Sequence, residues 1–419
     1  MGCLNRILAW LPSLNPQIWI LAFGRLLSQT GTGFTLFYAP LFFVNQVGLS
    51  ATAVGIGLGS AQISGILGRI LGGSFSDSPL WGRRRTLLLS AFISAIASFI
   101  LAGANNFATV VLGNLCLGLG IGLYWPATEA VVADLSTGNH RNQAYALTRL
   151  ADNIGIQLGI ILGGVVISTT GAYRALFIID ACSFLVFFVV IFKTIQETYK
   201  PSLDENKKSQ NTTQKWFLAL GDRTLLVFVL INIMFTVYIS QIHSTIPLYF
   251  NQFVNNGFSA STISYLFAGY ITLSILCQLP VASFLNRFTR PQALMVSSIF
   301  WGIGFLLIGL TGIVSENNLI FASIALAVFA LATVSYTPSA SALVADLAPD
   351  SLRGIYLAVN AQCWAIGYLI GPPLGGWVLD QTPQIVYNYW LGLAASITIA
   401  VIILQVLDQI MSNSEVNRK

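Results

Sequence analysis

The chain is 419 residues long, 55% hydrophobic and only 8% charged, with a mean hydropathy of +0.75 and a net charge of +5. Ordinary soluble domains are about 25% charged, so this composition excludes a soluble protein: it has too few charges to clothe a surface. The positive charge is spread over alternate loops rather than gathered in one patch, which excludes a nucleic-acid footprint.

Apolar runs long enough to cross a bilayer as helices fall at about 17–44, 52–76, 86–104, 107–134, 143–170, 173–195, 223–253, 259–285, 291–313, 317–346, 353–378 and 384–410. Runs longer than a bilayer needs predict tilt or kinks. The ten-residue alternation of a membrane barrel is not visible. The expected fold is therefore all-α and integral to the membrane, with twelve spans. Pro40 in span 1 and Pro247 in span 7 predict bends, because proline removes a helix hydrogen bond. Ser50 and Ser259 stand where the N-caps of spans 2 and 8 belong. Residues 196–222 form a long polar stretch and read as a flexible, solvated linker. It separates an N-terminal six-helix bundle, 1–195, from a C-terminal one, 223–419.

Sixteen of the 20 Lys and Arg lie in the tails, the linker and alternate loops, while the opposite loops hold only Arg174. The positive-inside rule then puts both termini and the linker in the cytoplasm, with the protein in the plasma membrane. Cys116, Cys182, Cys277 and Cys363 lie in apolar spans and read as packing residues. No metal-ligand spacing is present, and no cofactor is expected.

Residues 124–166 recur without a gap at 336–378, with 16 of 43 positions identical at an offset of 212. The matches include Pro126 with Pro338, Asp134 with Asp346 and Arg141 with Arg353. The offset is close to half the chain, so two parallel repeats are expected.

Twelve spans in a six-plus-six repeat with a central cytoplasmic linker resemble the major facilitator superfamily, and the resemblance covers the whole chain. That family's signature between spans 2 and 3 is Gly, three residues, Asp, a basic residue, one residue, Gly, one residue and two basic residues. Here Gly73 and Asp77 are followed by Gly82 and then Arg83, Arg84 and Arg85. Two extra residues precede Gly82, and no basic residue follows Asp77. The resemblance implies a cytoplasmic gate. Gly73 would allow close helix approach, Asp77 would face the positive end of span 11, and the arginines would pair with Asp134. The repeat extends this gate to Arg141, Asp346 and Arg353.

A span-5 pattern of exporters in the same family is Gly, three residues, Gly-Pro, two residues, Gly-Gly. Gly155, Gly159, Gly163 and Gly164 keep its spacing, with Ile160 in place of the proline. The full form, Gly367, Gly371, Pro372, Gly375 and Gly376, lies in span 11. Such a face reads equally as generic tight packing. Proton-coupled exporters carry an arginine early in span 4, where this chain has Asn114.

Charges inside a bilayer are costly and mark function by default. Arg25, Arg69, Glu129, Arg149 and Asp152 lie in spans of the first half. Arg69 reads as snorkelling toward the cytoplasmic end of span 2. Helix rise puts Arg25 level with Asp152 and Glu129 level with Arg149. A network Glu129–Arg149–Asp152–Arg25 is expected, with Asp152 and Glu129 as the deep carboxylates and proton coupling as their task. A static structural network is the alternative. Gln29, Thr32, Tyr38, Tyr238, Gln241, His243 and Trp364 are expected to line a substrate cavity. His243 reads equally as a packing residue.

The expected function is transport, not catalysis: the two histidines, 140 and 243, are far apart and no catalytic cluster is visible. The leading reading is proton-coupled export of a small amphipathic molecule by alternating access, closest in look to drug/proton antiporters. A facilitator or importer of a metabolite is the alternative, and a non-transporting membrane sensor a further one. The expected partners are the small-molecule substrate, protons and the lipid bilayer, with no nucleic acid and a monomeric state.

Overall fold

A chain in hydrocarbon must pair its backbone polar groups within itself, and in this computed structural model it does so almost wholly as helix. The structure describes residues 14–136, 140–198, 212–254, 257–314, 316–349 and 352–416. The first six helices are α1 (Pro16–Asn45), α2 (Ala51–Ser76), α3 (Gly82–Ala102), α4 (Phe107–Leu135), α5 (His140–Thr170) and α6 (Tyr173–Thr194). A short helix α7 (Thr212–Leu220) follows. The last six are α8 (Arg223–Gln252), α9 (Ala260–Leu285), α10 (Arg290–Ile313), α11 (Asn318–Leu347), α12 (Arg353–Leu379) and α13 (Pro383–Val416).

Ten of the twelve long helices are apolar enough to cross a membrane by length and composition alone. The two that fall short are α1 and α12, which carry Arg25, Gln29 and Thr32, and Asn360 and Gln362. Helices that line a watered path must be more polar than those that face lipid.

Local signals set the helix starts. Ser50 Oγ accepts from Ala53 N at 3.1 Å and Ser259 Oγ from Thr262 N at 3.2 Å, so both serines are N-caps. Asn106 and Asp222 cap α4 and α8 in the same way. Thr289 and Gln292 form a capping box on α10. Helices α1 and α8 run through Pro40 and Pro247. The polar linker is not wholly without structure. Its end, rich in helix formers, is α7, with Phe217 and Leu218 exposed.

The chain divides into two compact units, Met1–Val47 with Ser60–Leu203, and Gly48–Gly59 with Asp204–Lys419. In the first, α1 packs on α5 and α6, and α3 on α4 and α6. In the second, α8 packs on α12 and α13, and α10 on α11 and α13. The pairings are the same in repeat order. Ser90 Oγ donates to Gly120 O between α3 and α4, and Ser297 Oγ to Ala332 O between α10 and α11, each at 2.8 Å. In the second unit Asp380 accepts from Ala51 N at 2.9 Å and Thr52 N at 2.8 Å, an acid on a helix N-terminus.

The glycines of the fifth and eleventh spans are packing residues. A Cβ on Gly155 or Gly159 would strike backbone of α1 at Leu26 or Thr30. A Cβ on Gly367, Gly371 or Gly375 would strike Thr236, Ser240 or Thr245 of α8. Small residues let these helices approach almost backbone to backbone.

Candidate functional site

The first unit gathers its charges on α1, α4 and α5. Arg25 is buried in α1, and its Nε donates to Asp152 Oδ1 of α5 at 2.9 Å while Nη2 donates to Oδ2. Two parallel bonds make this a fork-to-carboxylate pair, the strongest geometry open to the two groups. The side chains are only 2% and 5% exposed. Tyr124 of α4 adds a third contact, its hydroxyl donating to Asp152 Oδ1 at 3.3 Å. The guanidinium also stands 5.4 Å from the Tyr124 ring centroid.

A second pair lies beside it. Arg149 Nη2 donates to Glu129 Oε1 at 2.5 Å, with side chains 53% and 44% exposed. Arg149 sits 4.7 Å from the Trp125 ring centroid and Arg25 5.9 Å from it. The expected four-membered network is therefore two ion pairs with Trp125 between them. Among the described residues no hydrogen bond joins Arg149 to Asp152. One pair is buried and the other is about half exposed, and this difference governs what each can do.

The second unit holds a neutral counterpart. The offset of 207 that relates Pro40 to Pro247 carries Arg25 onto Asn232, and the offset of 212 carries Tyr124 onto Tyr336. Asn232 Nδ2 donates to Asn360 Oδ1 at 2.8 Å, and Tyr336 OH donates to Asn232 Oδ1 at 2.5 Å. Two members of the charged cluster thus have uncharged equivalents that bond to each other, while the offset of 212 pairs Asp152 with Trp364, and Asn360 lies one turn before that residue. Sequence reasoning missed Asn232 and Asn360. The repeat offset signals Asn232, but it points from Asp152 to Trp364 and not to Asn360.

The turn between α2 and α3 builds a second cluster. Arg83 Nε lies 2.6 Å from Asp134 Oδ2, and Arg83 Nη2 3.7 Å from Asp77 Oδ1. Asp77 is otherwise exposed. The other arginines go elsewhere, which corrects their expected pairing with Asp134. Arg84 Nη2 donates to Phe192 O, and Arg85 Nη1 to Leu80 O. Glu197 caps α3, accepting from Arg83 N at 2.9 Å and Arg84 N at 3.2 Å. That cap explains Gly82: φ is +79° there, and a Cβ would press on the Glu197 carboxylate. Gly73 is a correction. A Cβ there meets nothing within 4 Å, whereas Gly72 packs on Leu123 and Pro126.

In the second unit Asp346 pairs with Arg290 at 3.3 Å. Asp408 accepts from Thr289 Oγ1 at 2.8 Å and Gln292 Nε2 at 3.3 Å, so an acid of the last span meets the start of the repeat's third, as Glu197 does from just beyond α6. The side chains of Arg141 and Arg353 lie outside the described residues.

Three expected cavity residues are packing residues instead. Tyr38 is buried and its hydroxyl donates to Ile160 O at 2.7 Å. Tyr238 is buried among Trp301 and Phe305, its hydroxyl bonded to Ser396 Oγ at 2.6 Å. Gln241 is fully engaged: Nε2 donates to Gly371 O, and Oε1 accepts from Thr245 and Tyr389. Each is a polar tip satisfied on a neighbouring helix, which residue type alone cannot reveal. Gln29, Thr32 and His243 are half-buried, as is Trp364, which stacks on Tyr368 and packs on Tyr336.

Sequence reasoning also missed a carboxylate. Asp180 of α6 is fully buried and accepts from Thr35 Oγ1 at 2.6 Å and Ser98 Oγ at 2.8 Å. Asp152 and Glu129 are therefore not the only deep acids of the first unit.

The model of the Major Facilitator Superfamily matches residues 21–256 and 244–410. A Na(+), Li(+), K(+)/H(+) antiporter of Planococcus maritimus is 23% identical over 397 residues, covering 87% of this chain and 90% of that protein. The multidrug resistance protein MdtH of Photorhabdus laumondii is 25% identical over 391 residues, covering 91% of this chain and 92% of its own. Among solved structures, a peptide transporter POT in complex with sulfate superposes with a TM-score of 0.75 at 16% identity, over 97% of this chain and 98% of that one. The nucleoside transporter NupG superposes with a TM-score of 0.76 at 14% identity, over 94% and 99%.

Proposed function

Because the chain belongs to the major facilitator superfamily and is a multi-pass membrane transporter, we propose that it exports a small amphipathic molecule in exchange for protons, by alternating access. It works as a monomer in the plasma membrane with both termini inside. The observation that carries this reading is the buried Arg25–Asp152 pair with Tyr124, whose positions in the second repeat are the uncharged Asn232, Trp364 and Tyr336.

The chemistry follows from burial. A sealed ion pair holds only while both charges are present. A proton on Asp152 leaves Arg25 charged and unpartnered in an apolar bundle. The pair must then part or admit water, so proton binding and helix movement are linked. Glu129 and Arg149 are open to solvent and suit the entry step, with Trp125 between the two pairs. The ion pairs Arg83–Asp134 and Arg290–Asp346 are the proposed gate elements. Gln29, Thr32, His243 and Trp364 are the proposed substrate contacts, the stacked ring of Trp364 suiting a flat or amphipathic cargo.

The relatives named for multidrug resistance support export, and the one named as a cation/proton antiporter supports proton exchange. The test is flux in proteoliposomes, with and without a pH gradient, across amphipathic drugs, small metabolites and Na⁺, Li⁺ and K⁺. Drug movement that follows the proton gradient is expected. A cargo that only equilibrates, indifferent to the gradient, would replace this reading by a facilitator or importer.

Orientation has its own check. In a chain whose native cysteines are replaced by serine, Phe258→Cys is expected to react with an impermeant maleimide added outside intact cells. Lys207→Cys is expected to react only after permeabilisation. Labelling of position 207 in intact cells would invert the topology.

A further inference from the structure

Asp180 has no part in the mechanism so far, yet it is among the most completely buried acids of the chain. It lies at the meeting of α1, α3 and α6. Its Oδ2 accepts two hydroxyls, Thr35 of α1 and Ser98 of α3. Its Oδ1 is buried and, among the described residues, without a hydrogen-bond partner. Gly31 of α1 leaves room for that oxygen: a Cβ there would lie 2.5 Å from Oδ1.

Among the described residues no cation answers the carboxylate. On α1 the nearest charge by register is Arg25, ten residues from Thr35, or about 15 Å along the axis, and it is held by Asp152. Tyr38 on the same helix gives its hydroxyl to Ile160 O. Helix α3 is charged only at its start, Arg83 to Arg85, and among its described side chains α5 offers Arg149 and Asp152, both paired. On α6 itself, Tyr173 and Arg174 lie about two turns away, and Arg174 donates to Ala102 O and Asn105 Oδ1. Cys182 is exposed.

An isolated carboxylate in such a place costs several kcal/mol or takes up a proton. A neutral carboxylic acid fits the geometry, with the proton on Oδ1 and two hydroxyls donated to the carbonyl oxygen Oδ2. Packing does not require an acid here. The repeat offset carries Thr35 onto Ile242 and Ser98 onto Phe305, and both are buried apolar residues in an equivalent bundle. One repeat has hydrocarbon at the positions of the two donors, and the other has two hydroxyls there that meet a carboxyl.

We propose that Asp180 is a second proton-binding site, which holds a proton while α1, α3 and α6 are packed together and releases it to water when they part. Asp180 lies seven residues from the start of α6, about 10 Å from that end. It shares α1 with the Arg25–Asp152 pair, so a shift of α1 is felt at both carboxylates. The site stands without the proton-exchange reading, and only its transport arm rests on that reading.

Infrared spectroscopy of the purified protein in lipid reads the proton directly. The wild type is expected to show a protonated-carboxyl band that shifts in D₂O, disappears at high pH and is missing in Asp180→Asn. Ser98→Ala, which removes one donor to the carbonyl oxygen, is expected to move the band to higher wavenumber. It serves if Asp180→Asn does not fold. A spectrum unchanged in both variants overturns the proposal, as does a band that neither exchanges nor titrates. In proteoliposomes, Asp180→Asn is expected to flatten the dependence of transport on pH at the α6 start side. Wild-type transport blind to pH would remove proton exchange as the function and leave the infrared result to decide Asp180.

Discussion

Asp152→Ala is expected to cost about 3–5 kcal/mol of stability, and adding Arg25→Gln to the same chain is expected to return most of it. The single change leaves a guanidinium buried with its carboxylate gone. The double change removes both charges together, and the uncharged side chains that remain need no partner ion. The pair is 2% and 5% exposed, so solvent cannot repair the loss. Glu129→Ala makes the contrast: its pair is about half exposed, and surface pairs contribute about 0–1 kcal/mol. Unfolding midpoints of the purified variants in one detergent, read as a double-mutant cycle, check both statements. Additive losses at positions 25 and 152 would show that the two side chains do not act as a pair.

The spans were legible because a bilayer imposes length and composition on each one, and the repeat was legible because its offset is constant. The packing of α5 on α1 could be suspected from glycines at every fourth position. The cavity was less legible, and Tyr38, Tyr238 and Gln241 show why. Their polar tips look available in a sequence, but each ends on a carbonyl or hydroxyl of a neighbouring helix. Asp180 escaped for the converse reason. It stands in a strongly apolar run, FIIDACSFLVFF, with no basic residue at helical spacing to single it out. Its donors come from residues 145 and 82 positions away. Gly73 misled because the family pattern names a glycine there, while the packing falls on Gly72, one position earlier and a different helix face.

The second large effect concerns accumulation. In an electroneutral exchange of one proton per substrate, a gradient of one pH unit is worth about 1.4 kcal/mol and supports roughly tenfold accumulation. The wild type in proteoliposomes is expected to approach that ratio. Arg25→Gln with Asp152→Asn is expected to fall to a ratio near one while still exchanging labelled for unlabelled substrate, because the cavity is kept and the titrating pair is gone. The double variant is the informative one, since Asp152→Asn alone leaves Arg25 unpartnered and confounds coupling with folding. Glu129→Gln is expected to keep most of the accumulation, because its pair is about half exposed and its loss leaves no charge sealed in the bundle. If the double variant accumulates as well as wild type while Asp180→Asn does not, the coupling proton sits on Asp180 and the Arg25–Asp152 pair is a strut between α1 and α5. If neither change matters because wild-type flux ignores the gradient, the Asn114 in place of the span-4 arginine was the better guide.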